Sequence, residues 1–258
     1  MKITFALPFA DALAAWRRDR ALLFPLAGLA MFVPQLAVLL LVPAMPRLAA
    51  GDDSETAVRD WTEAVTLWAG QHGIWYLLAP AIGLFAALAV MALYLDPSRP
   101  TLGGAMKRAG VLFPRYLLAS ILVALPIGGL MMPAVASPIL LAILLPPIFY
   151  LFGRTMLIGP AIVAGAPLGA VAAIGRSWTL TKGNGWVLAG IYGSVMLGAQ
   201  LVGSLFVSIG SVAGTGARAN PVLVAITDGT AAAVAAAAAL ALALVEVALY
   251  RRLARKGM

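Results

Sequence analysis

"ALLFPLAGLAMFVPQLAVLLLVPA" occupies residues 21–44, and none of its positions carries a charge. A run of about 20 apolar residues is what an α-helix needs to cross a ~30 Å hydrocarbon core, at about 1.5 Å of rise per residue. The run follows Lys2, Arg17, Arg18 and Arg20, interspersed with Asp11 and Asp19. It is too long for the apolar segment of a cleavable signal peptide, so it reads as a retained span. Five further runs have the same character: 73–95, 116–134, 138–161, 186–209 and 225–249. Pro133, Ser137 and Pro138 mark a tight turn between the third and fourth.

Composition agrees. The chain has 258 residues, 62% hydrophobic and 11% charged, against about 25% charged in a soluble domain. The expected fold is all-α: one polytopic domain over 1–258, with six transmembrane helices. The formal charge of +8 lies in short loops, where the positive-inside rule accounts for it better than nucleic-acid binding. There is no cysteine and one histidine, His72. Disulfides, thiolate metal sites and a histidine dyad within one chain are excluded, and neither a metal nor a cofactor is expected.

Charge bias predicts orientation. Lys2, Arg17, Arg18 and Arg20 precede the first span, and Arg99, Lys107, Arg108 and Arg115 follow the second. Arg176 and Lys182 follow the fourth, and Arg251, Arg252, Arg255 and Lys256 follow the sixth. The opposite side has only Arg47, Arg59 and Arg218. Both termini are therefore expected in the cytoplasm.

Amphipathic segments sit beside the spans. Phe5, Phe9, Leu13 and Trp16 share one helical face before the first, and Leu102–Arg115 is a weaker version before the third. Val171, Ile174 and Trp178 form such a face before the fifth, with Arg176 opposite and a turn at Gly183. On the other side, Val58, Trp61, Val65 and Trp68 recur at helical spacing, off the face of Arg59, Asp60 and Glu63 and following Asp52, Asp53 and Glu55. This pattern predicts an anchoring helix on the outer interface, with a binding lid as the alternative. The starts of three spans align as aromatic, any residue, Leu, Ala, small, aliphatic: Phe24–Leu29, Tyr116–Ile121 and Trp186–Ile191. The alignment suggests three copies of one unit, an interfacial helix followed by a hairpin of spans.

Residues 149–165, "FYLFGRTMLIGPAIVAG", and 168–188, "LGAVAAIGRSWTLTKGNGWVL", carry a further signal. The order is an intramembrane Arg, then Pro-Ala-Ile-Val, then Arg-Ser-Trp-x-Leu-Thr-Lys-Gly-x-x-Trp. It resembles the bacterial inner-membrane proteins related to the membrane domain of glycerophosphoryl diester phosphodiesterase. The resemblance implies a six-span membrane domain. It does not bring the phosphodiesterase activity, which in that family resides in a separate soluble barrel with histidines, carboxylates and a metal.

Charges within spans are candidates for function because each costs a few kcal/mol. Arg154 lies in the fourth span and Glu246 in the sixth, both in the inner part of the bilayer. They are expected to form a structural contact, Arg154 meeting Glu246 or a lipid phosphate, with independent snorkelling to the headgroups and a transport role as the alternatives. Arg17, Arg18, Lys107, Arg108, Arg176, Ser177, Trp178, Thr181 and Lys182 are the candidate contacts for anionic lipid or the interface. Asp228 reads as the N-cap of the sixth span and Asp96 as the stop of the second. Gly190, Ser194, Gly198 and Gly203 give the fifth span a close-packing face, for an internal helix first and a homodimer seam second. Pro34, Pro80, Pro126, Pro146 and Pro147 interrupt spans, as in many membrane helices and in the broken helices of transporters.

No nucleophile–base pair or phosphate loop is present, so no enzyme activity is expected. The expected role is a noncatalytic scaffold or lipid-contacting accessory protein whose partner is the phospholipid bilayer, chiefly its anionic headgroups. The alternative is a transporter or channel for a small or lipid-like solute. The sequence names no protein partner.

Overall fold

A computed structural model describes residues 4–46, 48, 54–135, 138–165, 168–213 and 220–254. Lys2, Arg47, Asp52, Asp53, Ser137, Arg218, Arg255 and Lys256 lie outside them. The described residues are helical and connecting, with no strand among them. Six helices are long and apolar enough to cross a membrane, so the chain is a multi-pass membrane protein.

The first span begins earlier than the apolar run does. Helix α1 (Ala6–Ala27) joins the amphipathic segment to the span through an elbow at Asp19, whose φ of −114° and ψ of 20° leave the helical region. A π-helical stretch, Gly28–Phe32, then leads into α2 (Val33–Leu41). The Val33 amide donates to the Gly28 carbonyl, five residues back. Pro34 has no amide to donate and its ring crowds the preceding turn, and a π-turn accommodates such an interruption.

Helix α3 (Glu55–Leu95) corrects the expected outer interfacial helix. Its 41 residues run as one rod, and at 1.5 Å per residue it outreaches the ~30 Å hydrocarbon core by roughly as much again. Ser54 caps it, its Oγ accepting from the Ala57 amide. No proline interrupts 55–72, so the helix continues straight into the span. The Trp61 and Trp68 indoles donate to the carbonyls of Pro46 (3.1 Å) and Pro43 (2.9 Å), clipping the connecting segment along the rod.

Asp96 ends α3 as expected, and the turn that follows is built on its side chain. Its carboxylate accepts from the Ser98 amide (2.9 Å) and hydroxyl (2.8 Å), and Arg108 stands 3.5 Å away. The Ser98 amide, then the Ser98 hydroxyl, hold this carboxyl below the usual carboxylate range, with Arg108 adding to them. Helix α4 (Leu102–Val135) likewise fuses its amphipathic part to its span.

Helix α5 (Pro138–Thr155) stops short, and after a turn at Met156 and Leu157 the span finishes as α6 (Ile158–Ala164). Helix α7 (Ala170–Leu180) is the one amphipathic segment that stands as a separate helix. Helices α8 (Gly185–Ala213) and α9 (Pro221–Ala254) complete the bundle. The supposed repeat unit is thus realised three ways, kinked, fused and separate. The aligned leucines also differ, since Leu26 and Leu188 are buried while Leu118 is exposed.

Asp228 is not the N-cap of the sixth span. Helix α9 starts seven residues earlier, where the Asn220 side chain accepts from the Val222 and Leu223 amides. Asn220 outcompetes it because it directly precedes Pro221, a residue favoured in the first helical turn.

The core gathers at the end of the bundle that carries the basic clusters. Seven consecutive residues of α9, Ala243–Leu249, are buried, so that helix is enclosed on all faces there. Residues 88–92 of α3 and 158–163 of α6 pack in the same core. Towards the other end the helices expose large apolar side chains such as Leu125, Leu201 and Ile226, as expected of a surface that faces lipid.

Candidate functional site

Three groups of polar or chemically distinct residues occupy the basic end. The first surrounds Arg154. Because α5 ends at Thr155, the Arg154 carbonyl loses its place in a continuous helical ladder. The Ser177 hydroxyl donates to it at 2.7 Å, while the Thr181 hydroxyl, 3.4 Å from it, donates to the Ser177 carbonyl at 2.7 Å. In return the Arg154 guanidinium donates to the Trp178 carbonyl at 2.7 Å, with a longer 3.5 Å contact to the Thr181 carbonyl. Those carbonyls form the negative end of α7, where a cation is favoured. The guanidinium also lies 4.5 Å from the Trp178 ring centroid. Each helix end thus supplies the other's cap.

The chain after α7 is shaped by this contact. Gly183 turns it with φ +80°, a left-handed conformation open to glycine. A Cβ on Gly185 would overlap Tyr150 and stand 2.9 Å from Arg154 Cδ. Gly153 likewise meets the backbone of Ala189, 2.9 Å from its Cα.

This arrangement revises several expectations. Among the described residues no ion pair joins Arg154 to Glu246. Arg154 is 8% exposed and committed to α7, whose terminal carbonyls at Trp178 and Thr181 lie beside its guanidinium. Ser177 and Thr181 are wholly buried, so they hold the helix ends and cannot meet headgroups. Val171 is exposed as expected, but the buried face of α7 is Ala170, Ala173 and Ser177. Trp178 stays partly exposed while engaged with Arg154, and Arg176 and Lys182 face outward.

Glu246 forms the second group. It is 7% exposed inside the enclosed stretch of α9, with Tyr116 of α4 and Tyr192 of α8 within electrostatic reach. It makes no hydrogen bond to a described residue.

The third group fixes the chain ends. Arg252 Nε donates to Asp11 Oδ2 at 2.6 Å, which brings the two termini to the same end of the bundle. At the elbow, Arg18 donates to both Asp19 oxygens and the Tyr94 hydroxyl donates to Asp19 at 2.6 Å. Arg251 donates to the Tyr94 carbonyl at 2.6 Å. Of the predicted interface residues, Arg18 and Arg108 are therefore tied to acids, while Arg17 and Lys107 are exposed without a described partner.

Beside this clamp a groove of about 710 Å³ opens between α1 and α9. Phe9, Leu13, Trp16 and Phe24 line one wall, and Ala237 and Ala241 belong to the other. Every lining residue is apolar. The volume lies within the roughly 300–1,000 Å³ typical of small-molecule sites. A smaller apolar groove near His72 lies between α2 and α3, lined by Val33, Leu41 and Trp75. The sequence reading missed the larger groove. Its traces were the Phe9–Leu13–Trp16 face and alanines at 233, 237 and 241, four apart on one helix.

On the small-residue face of α8, Gly190 meets another part of the fold, where Phe5 would stand 3.6 Å from its Cβ, and the positions beyond it are open. Gly190 and Gly198 are exposed, and nothing lies within 4 Å of a Cβ placed on Gly198 or Gly203. Ser194 bonds its own helix, at the Ile191 carbonyl. Gly193 faces α5, where Phe149 would stand 3.4 Å from its Cβ. No three His, Cys, Asp or Glu side chains among the described residues are grouped to hold a metal.

Comparison of the chain with family models, with curated proteins and with solved structures finds no match.

Proposed function

We propose that this chain is a noncatalytic protein of the bacterial inner membrane, with both termini cytoplasmic, that works by holding phospholipid as a scaffold or accessory subunit. The observation that carries this reading is the apolar groove between α1 and α9, beside a surface rich in arginine. An all-apolar lining offers nothing to a polar solute and suits a hydrocarbon chain. Each basic residue near an anionic membrane surface adds about 1 kcal/mol of attraction. The motif over 149–188 supports kinship with the membrane domain named above, and its residues serve here as reciprocal helix caps.

A second reading, a transporter for a small or lipid-like solute, rests on two carboxylates of α9. Asp228 and Glu246 are eighteen residues apart, about five helical turns and hence on one face, and neither has a hydrogen bond to a described residue. The alanines between them, Ala232, Ala236 and Ala243, are buried and supply no polar path.

Thermal unfolding of the delipidated protein separates the two. Stabilisation by added phosphatidylglycerol, with no response to a panel of water-soluble solutes, is the expected result. Stabilisation by a solute alone contradicts the lipid-holding reading.

A further inference from the structure

We infer that the α1–α9 groove binds one acyl chain of an anionic phospholipid from the leaflet at the basic end, and that Arg20 and Arg17 hold its phosphate. The inference rests on the lipid-holding reading and adds the site, the leaflet and the headgroup charge.

Length fits first. The α9 wall runs from Ala233 to Val245, about 18 Å at 1.5 Å per residue. One leaflet of a ~30 Å core is about 15 Å thick. The groove therefore matches one leaflet and not a molecule spanning both. Ala233, Ala237 and Ala241 present only methyl groups, and the room they leave is what bulkier residues would fill.

Charge selects the headgroup. Arg20 lies one turn before the groove-lining Phe24 on the span side of the Asp19 elbow, and Arg17 directly follows the groove-lining Trp16 on the other side. Trp16 belongs to the residue type that settles at the headgroup level. The other arginines at this mouth are occupied: Arg18 by Asp19, Arg251 by the Tyr94 carbonyl and Arg252 by Asp11. Arg17 and Arg20 are exposed and have no ion pair or hydrogen bond among the described residues. Two free cations at the mouth of an apolar slot complement one phosphate above one hydrocarbon chain.

The mouth is also held open. The Asp11–Arg252 bond ties α1 to the end of α9, and the Asp19–Tyr94 bond fixes the elbow between. A site formed in advance loses less freedom on binding.

The test uses the full chain in nanodiscs of equal phosphatidylcholine and phosphatidylglycerol. The protein is released into mild detergent, and retained lipid is counted by phosphorus assay and identified by mass spectrometry. Wild type is expected to keep about one phosphatidylglycerol per chain, in preference to phosphatidylcholine. Arg20→Gln and Arg17→Gln should each lower the retained phosphatidylglycerol-to-phosphatidylcholine ratio, by up to about fivefold, the equivalent of ~1 kcal/mol. Ala237→Phe with Ala241→Phe fills the slot from positions facing it and should cut retained lipid by half or more. Gly28→Leu, where a Cβ meets nothing within 4 Å, fills it from the other wall and covers failure of the first variant to fold. Lipid retained by wild type but unmoved by any of these changes overturns this site and leaves the broader reading standing. No retained lipid in wild type overturns both, as does a dimer whose contact excludes lipid from the groove.

Discussion

Replacing Arg154 by Met should destabilise the protein by about 2 kcal/mol, although methionine is far easier to place in a membrane. The change removes a charge-assisted bond to the Trp178 carbonyl at 2.7 Å, of a kind worth about 1.5–3 kcal/mol. It also removes a desolvated cation 4.5 Å from the Trp178 ring, worth about 2 kcal/mol. Against this, Arg154 Nε is buried without a partner, and losing such a group returns about 1–3 kcal/mol. At mid-range the remainder is about 2 kcal/mol, a shift of roughly 30-fold in the unfolding equilibrium. Ser177→Ala, which loses the return bond at 2.7 Å, should cost about 1 kcal/mol. The double variant should fall short of the sum by at least about 0.5 kcal/mol, because the two bonds secure the same pair of helix ends. Unfolding in mixed micelles, followed by tryptophan fluorescence, measures each value. Trypsin cleavage after Lys182 gives a local readout, expected to quicken in Arg154→Met as α7 loosens. Stability within about 0.5 kcal/mol of wild type, with unchanged cleavage at Lys182, would refute the reciprocal cap.

Three further outcomes follow from particular contacts. Gly153→Val should sharply lower the yield of folded protein in detergent, because its Cβ would enter the backbone of Ala189; Gly198→Val, in open space, should leave the yield unchanged and serves as the control. Asp11→Asn should cost only about 0.2–1 kcal/mol in the same unfolding assay, since the Asp11–Arg252 pair is substantially exposed, and high salt should erase the difference. The chain has no cysteine, so single cysteines report topology directly: in intact cells an impermeant thiol reagent should label Glu63→Cys and spare Lys182→Cys, and the reverse pattern would invert the orientation.

The spans were legible because hydrocarbon thickness imposes a length that no loop imitates, as residues 21–44 illustrate. Their ends were less so. The fusion of 55–72 into α3 depended on an absence, that of any proline, and periodicity alone cannot tell a helix lying on a membrane from one projecting through its surface. Arg154 stood out as a costly charge, yet the partner sought for it was another charge. Its actual partners are backbone carbonyls at the end of α7, which every residue has and no sequence marks. The same holds at Ser177 and Thr181, whose hydroxyls suggested an interface and are turned inward by the break after Thr155. Glycines misled for a related reason: Gly198 and Gly203 show the close-packing spacing but face open space, while Gly185 and Gly210, outside that series, make the close approaches, to Tyr150 and Thr227. The groove between α1 and α9 was hidden because its two walls lie more than two hundred residues apart in the chain.

Native mass spectrometry of the intact protein, released from its own membrane into mild detergent, tests the central proposal most directly. The predicted spectrum shows the chain carrying phospholipid, with anionic species enriched over their share of the membrane. A bare chain, whose melting temperature is raised by a water-soluble solute and not by phospholipid, would contradict it.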